Sequence, residues 1–158
     1  MSEPDQRLVD RAVLSQRSAS DPTTSVWVSA SAGTGKTKVL TDRVLSLLVA
    51  GNDPQKIICL TFTRAAAAEM ESRIAKRLGK WSTIKDQDLR IELHQLTGTY
   101  PSKHHMLRAR QLFALVLETP GGMQIETIHA FCQSLLRRFP LEASIAPHFK
   151  LMDERDTN

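Results

Sequence analysis

The sequence predicts an α/β protein in which a parallel sheet is flanked by helices, and three observations carry that expectation. Short apolar runs at 25–29 and 56–62 have the length of strands, whereas the segments after them repeat apolar residues at helical spacing. A loop of glycine and small residues joins the first run to the first of those helices. The resulting β-α-β-α order, with apolar strands, is that of parallel strands joined by crossover helices.

Taken in order, Leu8, Ala12 and Val13 recur at helical spacing over 5–17, and the stretch 18–22 (SerAlaSerAspPro) breaks that pattern. Ser25-Val26-Trp27-Val28-Ser29 then reads as a short buried strand. Val39, Leu40, Val44, Leu45, Leu47 and Leu48 predict a helix that Gly51 ends. Residues 56–62 read as a second strand, followed by an alanine-rich helix from Arg64 to Leu78. Between Gly79 and Gly122 the pattern changes to two helices, around 84–97 and 103–118, joined by a turn-like stretch at 97–102. This part is read as a helical insertion. Gln124–Thr127 fits a third strand, and 128–139 a helix stopped by Pro140.

Composition narrows the class without naming a function. A chain of 158 residues suits one domain with one sizeable core, and 41% hydrophobic with 24% charged residues excludes the disordered and collagenous classes. No apolar run approaches the roughly 20 residues of a membrane-spanning helix. The N-terminus lacks the basic, apolar, small-residue order of a secretory signal, so a cytoplasmic location is expected. Cys59 and Cys132 have neither a CxxC partner nor histidines at zinc spacing and read as core thiols. A formal charge of +4 permits a polyanionic partner but does not require one.

The chemistry-bearing motif is Ala30-Ser31-Ala32-Gly33-Thr34-Gly35-Lys36-Thr37, a phosphate-loop pattern with alanine in place of the first glycine. Small residues let backbone N–H groups wrap phosphates, and the helix N-terminus that follows favours negative charge. Lys36 is placed to reach the β- and γ-phosphates, and the Thr37 hydroxyl to ligate Mg²⁺. The alternative is a turn that binds nothing. The GlyLysThr ending, with a strand expected before it and a helix after it, argues for the loop.

Two further segments follow in order: Thr61-Phe62-Thr63-Arg64-Ala65-Ala66-Ala67-Ala68-Glu69-Met70, and Thr127-Ile128-His129-Ala130-Phe131-Cys132. With SerAlaGlyThrGlyLysThr they resemble motifs I, Ia and Ib of the UvrD/Rep-like superfamily-1 helicases. The wording is most similar to AddA-type subunits of bacterial double-strand-break repair helicase-nucleases. The resemblance covers about residues 10–150 and implies the N-terminal part of an ATP-binding domain, a partial RecA-like P-loop NTPase fold, over 1–158 with the insertion at 79–122.

It also implies roles at matching positions. Gln16 matches an adenine-recognising glutamine, although a glutamine on an amphipathic helix is commonly a solvated residue. Lys38 stands where the family commonly has an arginine near the base, and lysine lacks the planar guanidinium needed to stack. Thr61, Phe62, Thr63 and Arg64 match residues that hold single-stranded DNA, by phosphate contacts and base stacking. By its residue type alone, Phe62 reads as core. The family often has asparagine then lysine where Arg64 and Ala65 stand, so the charge has moved by one position. Thr127 and His129 match positions near the DNA backbone, while a lone histidine is commonly structural. His94, His104, His105 and His148 match nothing in the motifs.

A motor of this kind needs an acidic pair after a buried strand to hold Mg²⁺. Asp153-Glu154 is the nearest candidate, but Lys150 interrupts the run before it; Glu118 ends a helical pattern and lacks the aspartate. Neither makes a convincing second motif. The expectation is an incomplete motor, either a truncated gene product or one completed by another chain, with an AddB-type subunit implied as partner only by the resemblance. The chain alone would bind ATP and Mg²⁺ without turnover. Two other functions stand beside this one: a nucleotide- or DNA-binding fragment without catalysis, and a phosphate-loop enzyme acting on a small molecule.

Overall fold

The computed structural model describes residues 13–29, 31, 33, 35–146 and 149. Residues 13–20 are helical (α1), and its predicted beginning with Leu8 and Ala12 lies outside the described residues. Helices α2 (Lys36–Val49), α3 (Arg64–Thr83), α4 (Asp86–Thr97), α5 (Lys103–Glu118) and α6 (Ile128–Arg138) follow, with strands β1 (Ile58–Thr61) and β2 (Gln124–Thr127) between them. The protein is α/β, with a two-stranded parallel sheet flanked by helices.

The expected strand at 25–29 is not one. A strand exists through hydrogen bonds to a neighbour, and β1 and β2 take each other while 25–29 has no ladder partner among the described residues. Nor is the segment buried: Val26, Trp27 and Val28 are exposed, Trp27 by 94%. What fixes its start is Arg43 on α2, which donates to the carbonyls of Asp21 at 2.6 Å and Thr24 at 2.6 Å. The strands that do form are also less buried than their apolar runs suggest, with Ile58 and Leu60 exposed on one face.

One core joins α2, α3, α4 and α5. Ala67, Met70, Ile74, Leu78 and Trp81 are buried at steps of three and four along α3, the stripe that a 3.6-residue period places on one face. That stripe explains why α3 runs five residues past the expected end at Leu78: Trp81, fully buried, continues it. Gly79 does not break the helix. A Cβ there would lie 3.5 Å from the Phe113 ring, so the glycine sits where α5 packs against α3. Leu89, Leu93 and Leu96 of α4 and Ala109 and Leu112 of α5 complete the same cluster. The segment 79–122 is therefore packed into the core and, together with the preceding part of α3, forms the crossover that parallel β1 and β2 require.

The two cysteines, both expected as core thiols, differ: Cys59 packs against the core and Cys132 does not. Cys59 is half-buried, and desolvation pushes its thiol above the ordinary range. Cys132 is exposed, because α6 buries none of its residues.

Candidate nucleotide and nucleic-acid site

The loop before α2 owes its shape to two glycines. Gly33 has φ +81° and Gly35 φ +86°, a left-handed conformation that side chains with a Cβ rarely adopt. Gly35 is also the N-cap of α2, and no side chain satisfies the first N–H groups there. Uncapped donors at the start of a 14-residue helix, with no acidic residue in the first turn, form a cradle for anions. Lys36 Nζ turns back to donate to the Ser31 carbonyl at 2.6 Å. The Thr37 carbonyl accepts from Thr41 Oγ1 at 2.8 Å. The Thr37 hydroxyl makes no hydrogen bond among the described residues. These residues fit a nucleotide polyphosphate with its metal ion. Ala30, Ala32 and Thr34, expected in the same cradle, lie outside the described residues, as do His148 and the acidic candidates Asp153 and Glu154.

Gln16 lies beside the cradle. Its Nε2 is 3.4 Å from where a Cβ on Gly35 would stand, so the amide lies in contact range of that turn. Gln16 and Lys38 line one cavity of ≈ 170 Å³, so the structure brings together the two residues expected on the base side. Lys38 Nζ pairs with Asp42 Oδ2 at 2.8 Å.

Asp42 heads a network that sequence reading missed. Its other oxygen accepts from Arg77 Nη1 of α3 at 2.9 Å, and the residue is only 7% exposed. Arg77 also faces Glu92 of α4 at 3.6 Å and lies 5.8 Å from the centroid of the Trp81 ring. Glu92 accepts from Trp81 Nε1 at 2.7 Å and pairs with Lys80. Burial alone would raise the Glu92 carboxyl, but the hydrogen bonds from Lys80 and Trp81 and the charges of Lys80 and Arg77 outweigh it and hold it below the usual range. The Lys38–Asp42 pair is visible in the sequence as an i,i+4 spacing. Arg77, thirty-five positions from Asp42, is not.

The two remaining motifs meet at one edge of the sheet. In the parallel register Thr61 faces Thr127, so Phe62-Thr63-Arg64 and Ile128-His129 leave the same ends of adjacent strands. Thr61 Oγ1 donates to the Thr63 carbonyl at 3.0 Å. Thr63 and Thr127 do parallel jobs as N-caps: Thr63 Oγ1 accepts from Ala66 N at 3.1 Å, and Thr127 Oγ1 from Ala130 N at 3.2 Å. Phe62 is 85% exposed, against the reading of it as core, because it lies past the strand end where nothing described covers it. Arg64 and His129 are exposed at the first turns of α3 and α6. Among the described residues no cluster of histidine, cysteine and carboxylate side chains could hold a metal.

The model of the UvrD/REP helicase N-terminal domain fits residues 13–158. The chain belongs to that family. Similar curated proteins are ATP-dependent helicase/nuclease subunits of the AddA type. The one from Pediococcus pentosaceus is 32% identical over 133 residues, 84% of this chain and 9% of its own length. That from Desulforamulus reducens is 34% identical over 83% of the chain and 9% of its own. That from Enterococcus faecalis is 35% identical over 84% of the chain and again 9% of its own. The chain thus spans about a tenth of the length of the curated relatives it matches. As a member of this family it is a helicase-type α/β unit, and no described helix is long and apolar enough to cross a membrane.

Proposed function

We propose that this chain is the ATP-binding and single-stranded-DNA-contacting portion of an ATP-dependent helicase of double-strand-break repair and recombination. The observation that carries the reading is the arrangement around two elements. The uncapped start of α2 presents Gly33, Gly35, Lys36 and Thr37 to an anion, while one sheet edge gathers Thr61–Arg64 with Thr127 and His129. Lys36 exchanges the Ser31 carbonyl for the β- and γ-phosphates. Thr37 offers its hydroxyl to Mg²⁺, which with ATP supplies the phosphoryl-transfer chemistry when bound. Gln16 and Lys38 stand on the base side. At the sheet edge Arg64 meets DNA phosphates, and the exposed Phe62 ring offers a base a stacking face.

Turnover and translocation belong to the whole motor; the relatives are about ten times longer than the part matched here. A cytoplasmic location and a second subunit of the AddB type belong to the same proposal.

The test is binding of a fluorescent ATP analogue and of a single-stranded oligonucleotide to the 158-residue chain, beside Lys36→Ala and Arg64→Ala. Lys36→Ala should lose nucleotide binding. Arg64→Ala should weaken DNA binding evenly across sequences and lower the slope of log affinity against log salt by about one. Thr63→Ser, which keeps the cap, should bind DNA as the parent does. Undiminished nucleotide binding in Lys36→Ala would refute the assignment.

A further inference from the structure

The ≈ 170 Å³ cavity beside the phosphate loop is not built by α1 and α2 alone; Gln95 and Leu96 of α4 form its far wall. We propose that Gln95 is a specificity-determining contact for the adenine base, acting across this cavity from Gln16. The inference rests on the nucleotide-binding reading above and extends the site into the crossover segment.

Four features of the cavity support it. At ≈ 170 Å³ the cavity has room for one heteroaromatic base. Neither the Gln16 nor the Gln95 amide makes a hydrogen bond among the described residues, so each keeps one donor face and one acceptor face for a ligand. Val13 and Leu96 supply apolar walls for a ring. Arg17 also lines the cavity, and its Nε is buried with no hydrogen-bond partner. A buried donor left unsatisfied is costly, and a base entering this space brings acceptors to it. The Arg17 side chain passes close to Gly98 at the end of α4, where a Cβ would lie 3.0 Å from its Cδ.

The polarity of the lining selects the base. Asp42 is acceptor-only and buried, and it faces the cavity together with the two amides. Adenine offers an exocyclic amine and ring nitrogens, which pair with an acceptor and with amide donors. Guanine presents its O6 acceptor where adenine presents its amine, and so lacks the donor that Asp42, already accepting from Lys38 and Arg77, can take in addition. Lys38, held by Asp42, closes the side nearest α2 without competing for the amides.

Gln95 is exposed on α4, so Gln95→Ala should leave the fold intact, as circular dichroism can verify. Calorimetric titration of the whole chain with ATP, GTP and inorganic triphosphate reads the proposal. In Gln95→Ala, ATP affinity should fall about tenfold, triphosphate affinity should hold, and the preference for ATP over GTP should narrow. Unchanged ATP affinity with an unchanged ATP-to-GTP ratio overturns the role of Gln95, as does an equal loss of ATP and triphosphate, which would mark a general distortion. Lys36→Ala separates the two levels of argument. If it abolishes binding of both ATP and triphosphate while Gln95→Ala changes nothing, the nucleotide site stands and only the base contact fails. If Lys36→Ala leaves triphosphate binding intact, or the parent chain binds none of the three, the nucleotide reading falls and Gln95 with it.

Discussion

Arg77 ties three helices together, because it donates to Asp42 of α2 and faces Glu92 of α4 while itself belonging to α3. Its two carboxylate partners are mostly buried, with side chains 10% and 16% exposed, so the pairs are less screened than surface ion pairs. The Glu92 carboxyl is held below its ordinary value in the folded chain. A depressed folded pKa means that the unfolded chain takes up a proton first as the pH falls. The contribution of Glu92 is therefore complete above the usual carboxylate range and is lost as the pH drops through the folded value. Glu92→Gln should lower stability by about 1 kcal/mol at neutral pH, and the gap to the parent should shrink towards acid. Thermal melts between neutral and strongly acidic pH measure both; a gap that stays constant over the whole range would show that Glu92 is not the titrating group.

Helix α3 shows what periodicity can and cannot reveal. Its apolar steps from Ala67 to Leu78 are legible in the sequence, as are α5, β2 and the stop at Gly51. Gly79 reads as a boundary because glycine weakens helices, and only the tertiary position of Phe113 shows why it lies inside one. The strand at 25–29 fails for the opposite reason: its residues suit a strand, but pairing is a property of a neighbour and not of the segment. At the candidate site the loop, Gln16 and Lys38 can be read from motif spacing. Gln95 lines the cavity, and Arg77 meets Asp42 beside it, only through the packing of α3 and α4. The Gly79 geometry makes a prediction in itself. A Cβ at 3.5 Å from the Phe113 ring is an ordinary contact, and Gly79 does not need a positive φ. Gly79→Ala should then stabilise the chain by about 0.5–1 kcal/mol, through helix propensity and reduced freedom of the unfolded state. Denaturant midpoints decide it, and a lower midpoint with an unchanged slope would mean that α3 and α5 are closer than the fold implies.

At the scale of the molecule the apolar surface is unevenly covered. The helices α2–α5 share a closed core, whereas Trp27, Phe62, Ile58, Leu60, Phe139 and Leu141 are all exposed on the loop, sheet and α6 parts of the chain. Apolar surface and unpaired strand edges in that amount drive association when no other surface covers them. The chain in isolation should therefore self-associate with rising concentration. Its two tryptophans report on this separately, since Trp81 is fully buried and Trp27 is 94% exposed. In dilute solution acrylamide should quench one emitting population readily and the other poorly, and Trp27→Phe should remove the accessible one. As concentration rises, the sedimentation coefficient should increase while the accessible Trp27 fraction falls. Substituting Trp27→Ser should then weaken association without lowering the melting temperature, because the residue adds nothing to the core. A sedimentation coefficient that does not change with concentration, with Trp27 still freely quenched, would show that this exposed face is tolerated by the monomer and that association needs no covering partner.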